Sequence, residues 1–203
     1  MDFEPYRSTR WVVFDTETTG TMPTRDRIVS IGAMAIEDME INPNDAFECL
    51  VRVPFNSSSV VIHGITKDET QREGIEEAEA IEQFNDYLGD AYLVGHHVAF
   101  DIIVVNHALR RTGLPILENP AIDVMKLVMR LEEQKLVQPR ENPNDFSLDG
   151  LLDHFDIPKA GRHTAMGDSF ATGMLWMQLL RFCKKAETDI LESVMETDIG
   201  LGE

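Results

Sequence analysis

The sequence predicts an α/β domain built on a mixed β-sheet. Three strand-like segments come first, and helix-like and strand-like segments alternate after them. No glycine-rich turn joins the first strand to a helix and no P-loop sequence is present, which excludes the usual dinucleotide-binding and P-loop folds. The 203 residues, 43% hydrophobic and 27% charged, are enough for one soluble domain with a buried core.

Runs of β-branched and aromatic residues predict the strands. The first covers residues 11–15, Trp-Val-Val-Phe-Asp, and the second covers 28–37. A third is predicted at 46–53, ending where a run of Pro, Asn and Ser begins. Residues 92–94 form a short fourth strand that stops at a glycine.

Apolar residues at helical spacing predict the helices. The clearest is the acidic, amphipathic segment 76–89. Further helices are predicted at 99–112, 121–133, 147–153 and 164–183, with a Pro- and Asn-rich loop at 138–145. Residues 1–185 are therefore expected to form one domain. Residues 186–203 are expected to form an acidic tail, as a frayed helix or a disordered segment.

The net charge of −18 argues against an extended nucleic-acid surface. Lys and Arg are scattered, with no basic patch. An enzyme that holds one chain end through divalent cations escapes this objection, because the metals supply the positive charge at the phosphate.

The compartment expected from the sequence is the cytoplasm. No segment has the apolar length of a membrane span, and the N-terminal residues lack the apolar core of a secretory signal. The two cysteines, Cys49 and Cys183, share no motif spacing and are expected to be reduced thiols.

The first chemical signal is the string Phe-Asp-Thr-Glu-Thr-Thr-Gly at residues 14–20. Asp15 and Glu17 lie two apart at the end of a strand, so both side chains leave the same face. Carboxylates this close repel unless a cation lies between them, and Mg²⁺ or Mn²⁺ suits such oxygen ligands. Asp-x-Glu alone would fit a solvated turn better, but the full seven-residue string after an apolar strand favours the metal site.

The second signal is Asp101, an acid near the start of an otherwise apolar helix. By itself it fits a helix-dipole role in the first turn. If buried it needs a partner, which a metal would supply.

The third signal is Arg-His-Thr-Ala-Met-Gly-Asp at residues 162–168. His163 and Asp168 are five positions apart and cannot share one helical face, so His163 is expected on a loop and Asp168 inside the next helix. A neutral imidazole there suits proton removal from water, although a histidine flanking a helix needs no such role.

Together, these three segments resemble the DEDDh 3′→5′ exonucleases. That family includes the proofreading subunit of bacterial replicative polymerases, oligoribonuclease and ribonuclease T. Supporting matches are residues 26–32 in the second strand, 62–66 (Ile-His-Gly-Ile-Thr) and 147–152 (Ser-Leu-Asp-Gly-Leu-Leu). The resemblance runs from about Val12 to Leu180 and marks residues 1–185 as an exonuclease domain.

The resemblance implies a ribonuclease H-like fold with a five-stranded mixed sheet flanked by helices. It implies two divalent cations, Mg²⁺ or Mn²⁺, held by Asp15, Glu17, Asp101 and Asp168, with His163 as general base. It also implies substrate contacts from Thr16, Thr18, His63 and Phe100. The products would be nucleoside 5′-monophosphates.

The sequence departs from the family pattern at a few positions outside this set. His97 stands where many members have Asn, and Ser169 where Ala is usual. A proline that commonly follows the His-Gly-Ile-Thr segment is missing. Asp123 falls where members often have an Asp, and a helix-capping role is expected for it.

Two alternatives stay open at this point. One is a non-catalytic nucleic-acid-binding module of the same fold, and the other is a hydrolase of small nucleotide phosphodiesters. The expected partner is a single-stranded 3′ end, with DNA slightly favoured over RNA. A DNA polymerase is a candidate protein partner, and no membrane partner is expected.

Overall fold

A six-stranded mixed sheet forms the centre of the molecule. The computed structural model describes residues 9–54, 59–186, 190–197 and 199–200, with only the backbone at 185–186. The strands are β1 (Trp11–Thr18), β2 (Ile28–Glu37), β3 (Glu40–Leu50), β4 (Tyr92–Gly95), β5 (Ala121–Asp123) and β6 (Met195–Glu196). Their order across the sheet is β3-β2-β1-β4-β5-β6.

The strand directions agree with the predicted mixed sheet. β1 pairs antiparallel with β2 and parallel with β4, and β4 pairs parallel with β5. The predicted count of five strands was wrong by one, because β6 adds a short antiparallel partner to β5. The prediction of a third strand at 46–53 was also misplaced, since β3 begins at Glu40 and ends at Leu50.

The helices of the described residues lie on both faces of the sheet. They are α1 (Val60–His63), α2 (Lys67–Glu73), α3 (Glu77–Leu88), α4 (Val98–Thr112), α5 (Val124–Glu133), α6 (Leu148–His154), α7 (Ala165–Ala186) and α8 (Ile190–Val194). Residues 121–133 were predicted as one helix, but 121–123 form β5 and the helix starts at Val124. Neither α1 nor α2 was predicted from the sequence.

Strand β1 is buried on both faces. Trp11 and Val13 belong to a core cluster that includes the apolar residues of α5, α6 and α7. Val12 and Phe14 belong to a second cluster with α3 and α4. Because successive side chains of a strand point to opposite faces, β1 joins the two cores and its end is held rigidly between them.

The C-terminal segment is only partly described, since residues 187–189, 198 and 201–203 lie outside the described part. In the described part, Ile190 and Leu191 of α8 are buried in the first core cluster. The boundary between domain and tail at residue 185 stays a prediction. Both cysteines are free thiols, as predicted. Among the described residues, the helices are too short or too polar to cross a lipid bilayer.

Candidate active site

Asp15 and Glu17 project from the end of β1 on the same face of the strand, as the sequence predicted. Both are half-buried, whereas Thr16 and Thr18, which alternate with them, are buried. The alternation follows from the two-residue period of a strand. It leaves two carboxylates side by side at one edge of an apolar core.

Helix α7 is docked against β2 opposite Asp15. The partner of Asp15 across the ladder is Gly32. A Cβ atom on Gly32 would come within 2.2 Å of the Met166 backbone nitrogen, so only glycine permits this approach. The Ser169 hydroxyl donates to the Gly32 carbonyl oxygen at 2.7 Å. The first turn of α7, including Asp168, is thereby held over the carboxylates of β1.

These three carboxylates form one cluster. Asp15, Glu17 and Asp168 each offer an oxygen atom, and the three atoms lie within 4.8 Å of one another. Burial, then repulsion from Asp101, Asp168 and Glu17, raises the pKa of Asp15 well above its usual range. Burial and the Asp168 charge raise the pKa of Glu17 to about 7. Such a cluster is costly unless a cation neutralises it.

Asp101 lies beside this cluster and is 4% exposed. One of its oxygens accepts hydrogen bonds from the Thr16 backbone N–H at 2.9 Å and from the Thr16 hydroxyl at 2.6 Å. Burial nevertheless raises the pKa of Asp101 to about 7. The partner that a buried acid needs is therefore supplied in part by Thr16. The sequence did not reveal this pair, because its members are 85 positions apart.

His163 lies on the loop before α7 and Asp168 lies in its first turn, as predicted. The His163 backbone has φ of 65° and its N–H donates to Asp168 at 3.1 Å. The side chain of His163 is exposed. The loop folds back on the helix so closely that a Cβ on Gly167 would overlap the Gly161 carbonyl oxygen. Backbone contacts thus fix where the loop turns, and the imidazole keeps access to solvent.

Arg162 is a member of the site that the sequence analysis missed. Its guanidinium forms an ion pair with Asp168, and its Nε donates to Asp149 at 2.8 Å. Its side chain is 13% exposed. A basic residue directly before His163 was the only sequence signal. Asp149 comes from α6, which Ser147 caps by accepting from the Gly150 N–H.

His63 contacts the same end of β1. Its Nδ1 accepts from the Ile65 N–H at 3.0 Å, which leaves the proton on Nε2. Nε2 lies near the Thr18 backbone but has no hydrogen-bond partner in the described part of the chain. Burial lowers the pKa of His63. Phe100 is half-buried and packs against the second core cluster.

Comparison with known proteins decides the family. A family model described as an exonuclease (RNase T) matches residues 12–175. The chain belongs to this exonuclease family. Its motif set is the DEDDh set, as the sequence predicted, and exonucleases of this kind generally use divalent metals.

The curated relatives of this exonuclease domain are much longer proteins. A DNA polymerase III PolC-type of Latilactobacillus sakei is 28% identical over 204 aligned positions, covering 97% of this chain but 13% of that protein. A DNA polymerase III PolC-type of Halalkalibacterium halodurans is 31% identical over 191 residues, covering 92% of this chain and 12% of its own length. The chain therefore spans about an eighth of these relatives.

Solved structures show the same fold. An E. coli exonuclease I complex with single-stranded DNA gives a TM-score of 0.75 at 20% identity, covering 92% of this chain and 42% of that one. Exonuclease I with a dT13 oligonucleotide gives 0.76 at 20% identity, with 89% and 43% covered. The ribonuclease H-like architecture expected from the motifs is thereby confirmed, with six strands in place of five.

Asp123 and His97, which lie near the carboxylate cluster, have structural roles. Asp123 caps α5 by accepting from the Met125 N–H at 3.0 Å, as predicted. The same oxygen accepts from the backbone N–H of His97 at 3.2 Å. His97 has a left-handed backbone and an exposed ring. Asp123 therefore joins β5 to the loop that leads into α4 and Asp101.

Proposed function

We propose that this domain is a metal-dependent 3′→5′ exonuclease that releases nucleoside 5′-monophosphates from single-stranded nucleic acid, with DNA slightly favoured over RNA. The observation that carries the proposal is the cluster of Asp15, Glu17 and Asp168 oxygens within 4.8 Å. The residues resemble the metal-binding set of the family whose model the chain matches.

The donor set fits hard divalent cations. It consists of carboxylate oxygens, which Mg²⁺ and Mn²⁺ prefer. Burial and then repulsion from the neighbouring carboxylates raise the pKa of Asp15, so a divalent cation bound among these oxygens would offset an unfavourable concentration of negative charge. We propose that Asp15, Glu17 and Asp168 hold the ions, with Asp101 supporting them. Two such ions supply a Lewis acid and an activated water for phosphodiester hydrolysis.

His163 is proposed as the general base. It is exposed beside Asp168, and its backbone is fixed by the hydrogen bond to that carboxylate. A solvent-accessible imidazole can take the proton from an attacking water and pass it to bulk solvent. Attack at the terminal phosphodiester breaks the bond to the 3′-oxygen of the preceding nucleotide, so the phosphate leaves on the 5′-oxygen of the released nucleoside.

The terminal nucleotide is proposed to lie against Thr16, Thr18, His63 and Phe100. The His63 ring carries its proton on Nε2, an atom without a partner in the described residues. A small movement of α1 would let it donate to a sugar or base oxygen. Phe100 offers a partly exposed ring for stacking. Few further nucleotides are expected to bind, since the chain carries a net charge of −18.

The protein partner proposed is a DNA polymerase. Its support is that the relatives of this domain are PolC-type DNA polymerases III. The proposed single-stranded substrate is supported by the neighbouring exonuclease I structures, which are complexes with single-stranded DNA and with a dT13 oligonucleotide.

The experiment is digestion of 5′-labelled single-stranded DNA and RNA oligonucleotides with Mg²⁺ or Mn²⁺. We expect a ladder that shortens from the 3′ end, absent in EDTA and in Asp15→Ala, with DNA cut somewhat faster. A mononucleotide ester run alongside tests the small-substrate alternative. Cleavage of the ester alone would favour that alternative, and no cleavage by folded protein would favour a binding module.

The role of His163 is tested in the same assay. Removal of a general base costs roughly 10²–10⁴-fold in rate, so His163→Ala should fall in that range while retaining metal binding. His154→Ala is the control, because it removes a half-buried imidazole at the end of α6 that is not part of the carboxylate cluster. A loss smaller than about tenfold in His163→Ala would assign the base to another group.

A further inference from the structure

We propose that Arg162 is a tethered cation that competes with the divalent metal for Asp168, and that Asp149 receives it when the metal binds. The inference rests on the proposed metal site and concerns how strongly that site holds its ions. It makes Arg162 a positioning residue that acts through Asp168.

The geometry places Arg162 between two carboxylates of unequal environment. Asp168 belongs to the three-carboxylate cluster and its side chain is 13% exposed. Asp149 lies outside the cluster, on α6, and its side chain is 42% exposed. The guanidinium contacts both at once, through Nη1 to Asp168 and through Nε to Asp149. A planar guanidinium with several donors can bridge in this way, whereas an ammonium is less suited to it.

The charges explain why Arg162 lies there. The cluster and the neighbouring Asp101 hold four carboxyl groups, and the pKa of Glu17 is lowered by Arg162 but still raised overall by burial and Asp168. Arg162 therefore offsets part of the repulsion when no metal is bound. A divalent cation brings twice the charge and direct oxygen coordination, so it is the stronger partner for Asp168.

The Asp149 contact gives Arg162 a second position. Nη1 has no hydrogen-bond partner apart from the Asp168 ion pair in the described residues, so little else holds that end of the guanidinium. Nε already donates to Asp149. A rotation about the terminal side-chain bonds would keep the Asp149 contact while freeing Asp168. The side chain then leaves the metal position without losing all its ionic contacts.

The test is a titration of Mn²⁺ binding, followed by electron paramagnetic resonance of free Mn²⁺, with thermal unfolding in parallel. Loss of a competing charge a few ångströms from the metal should tighten Mn²⁺ binding by about tenfold in Arg162→Gln. Asp149→Asn leaves Arg162 on Asp168 and should weaken binding by about threefold, as fits a partly exposed ion pair. Arg111→Gln is the control, since it removes an equal charge from a pair with Glu77.

Thermal unfolding supplies a second readout. In EDTA, Arg162→Gln should unfold at a lower temperature than the unmodified chain. Mn²⁺ should raise the unfolding temperature of Arg162→Gln by more than it raises that of the unmodified chain. A purely structural role predicts that Arg162→Gln and Asp149→Asn both weaken Mn²⁺ binding. That result would overturn the inference while leaving 3′→5′ digestion intact. Absence of Mn²⁺ binding by the unmodified chain would overturn both this inference and the metal site of the proposed function.

Discussion

Two groups of buried charge in this domain differ in how their charges balance. In the first, Arg140 on the loop before α6 meets Glu132 of α5 through Nε at 2.9 Å and Nη2 at 3.1 Å. Its Nη1 donates to the Asp145 carbonyl and its guanidinium lies over the Phe146 ring. In the second, Arg162 faces the cluster of three carboxylates with Asp101 beside it.

The carboxyl pKa values are shifted in opposite directions in these two groups. Burial raises the pKa of Glu132, but the hydrogen bonds from Arg140 outweigh it and the net pKa is lowered. The pKa values of Asp15, Glu17 and Asp101 are raised, with burial as the largest cause. A matched ion pair stabilises a loop, whereas an excess of carboxylates marks a site arranged for cations that the chain itself does not supply.

Breaking the matched pair should have the largest effect on stability. Arg140→Met keeps an apolar stem but leaves Glu132 without its partner, and breaking a buried pair costs about 3–5 kcal/mol. Because the Glu132 side chain is 17% exposed, we expect the lower end of that range. Urea unfolding measures it, with Arg111→Gln as a more exposed control pair. A cost no greater than the control would show that Arg140 is not needed for stability.

Neutralising a carboxylate of the three-carboxylate cluster should stabilise the protein, whereas loss of Arg140 should destabilise it. The Glu17 pKa of about 7 means that its charge opposes folding at higher pH without metal. Glu17→Gln should therefore stabilise the protein in EDTA by about 1–2 kcal/mol at about pH 8, a value reduced for partial exposure. Urea unfolding in EDTA is the measurement. Destabilisation by Glu17→Gln would mean that Arg162 already balances the cluster.

The pH dependence of stability should further distinguish the carboxylate cluster from the Arg140–Glu132 pair. A carboxyl pKa raised from 4.5 to about 7 means that the folded state binds more protons, so stability present at low pH is lost as pH rises through about 7. His63 and His96, whose pKa values are lowered by burial, act oppositely but only below about 6.5. We expect the difference in unfolding free energy between the unmodified protein and Glu17→Gln to grow with pH. A difference in unfolding free energy that does not change with pH would contradict a raised pKa of Glu17.

The smallest expected effect concerns the pair between Thr16 and Asp101. Thr16→Val removes one of two hydrogen bonds to a buried carboxylate and keeps the side-chain shape, so the cost should be about 1 kcal/mol. It should be larger above the Asp101 pKa of about 7 than below it. Unfolding at the two pH values gives the comparison. Equal costs at both would show that Asp101 does not change its charge in this range.

The proposed catalytic residues could be predicted because each lies in a short local motif. Asp15 and Glu17 lie at the end of a strand, and His163 precedes the helix that carries Asp168. The motifs gave their places in the fold, and the family resemblance gave their proposed roles. The pairs that Thr16 forms with Asp101 and Arg162 forms with Asp149 join residues 85 and 13 positions apart, which no local pattern reveals. These partners become neighbours only when α4 packs on β1 and α6 packs beside α7.

The fold was predictable for the long elements and less so for the short ones. The helix predicted at 121–133 included β5, because three residues are too few to show the two-residue period of a strand when an amphipathic helix follows directly. β6 has two residues in an acidic segment, and its pairing depends on β5. α1 and α2 follow a Pro- and Ser-rich run that indicated only a loop.

Unfolding with and without Mn²⁺ near pH 8 tests most directly whether the excess carboxylates exist to bind cations. Mn²⁺ should stabilise the unmodified protein by an amount that grows with the logarithm of its concentration above the dissociation constant, and should have little effect on Asp15→Asn. The Arg140→Met variant should gain as much from Mn²⁺ as the unmodified protein, because its defect lies outside the cluster. Equal stabilisation of Asp15→Asn, or none in the unmodified protein, would contradict the account.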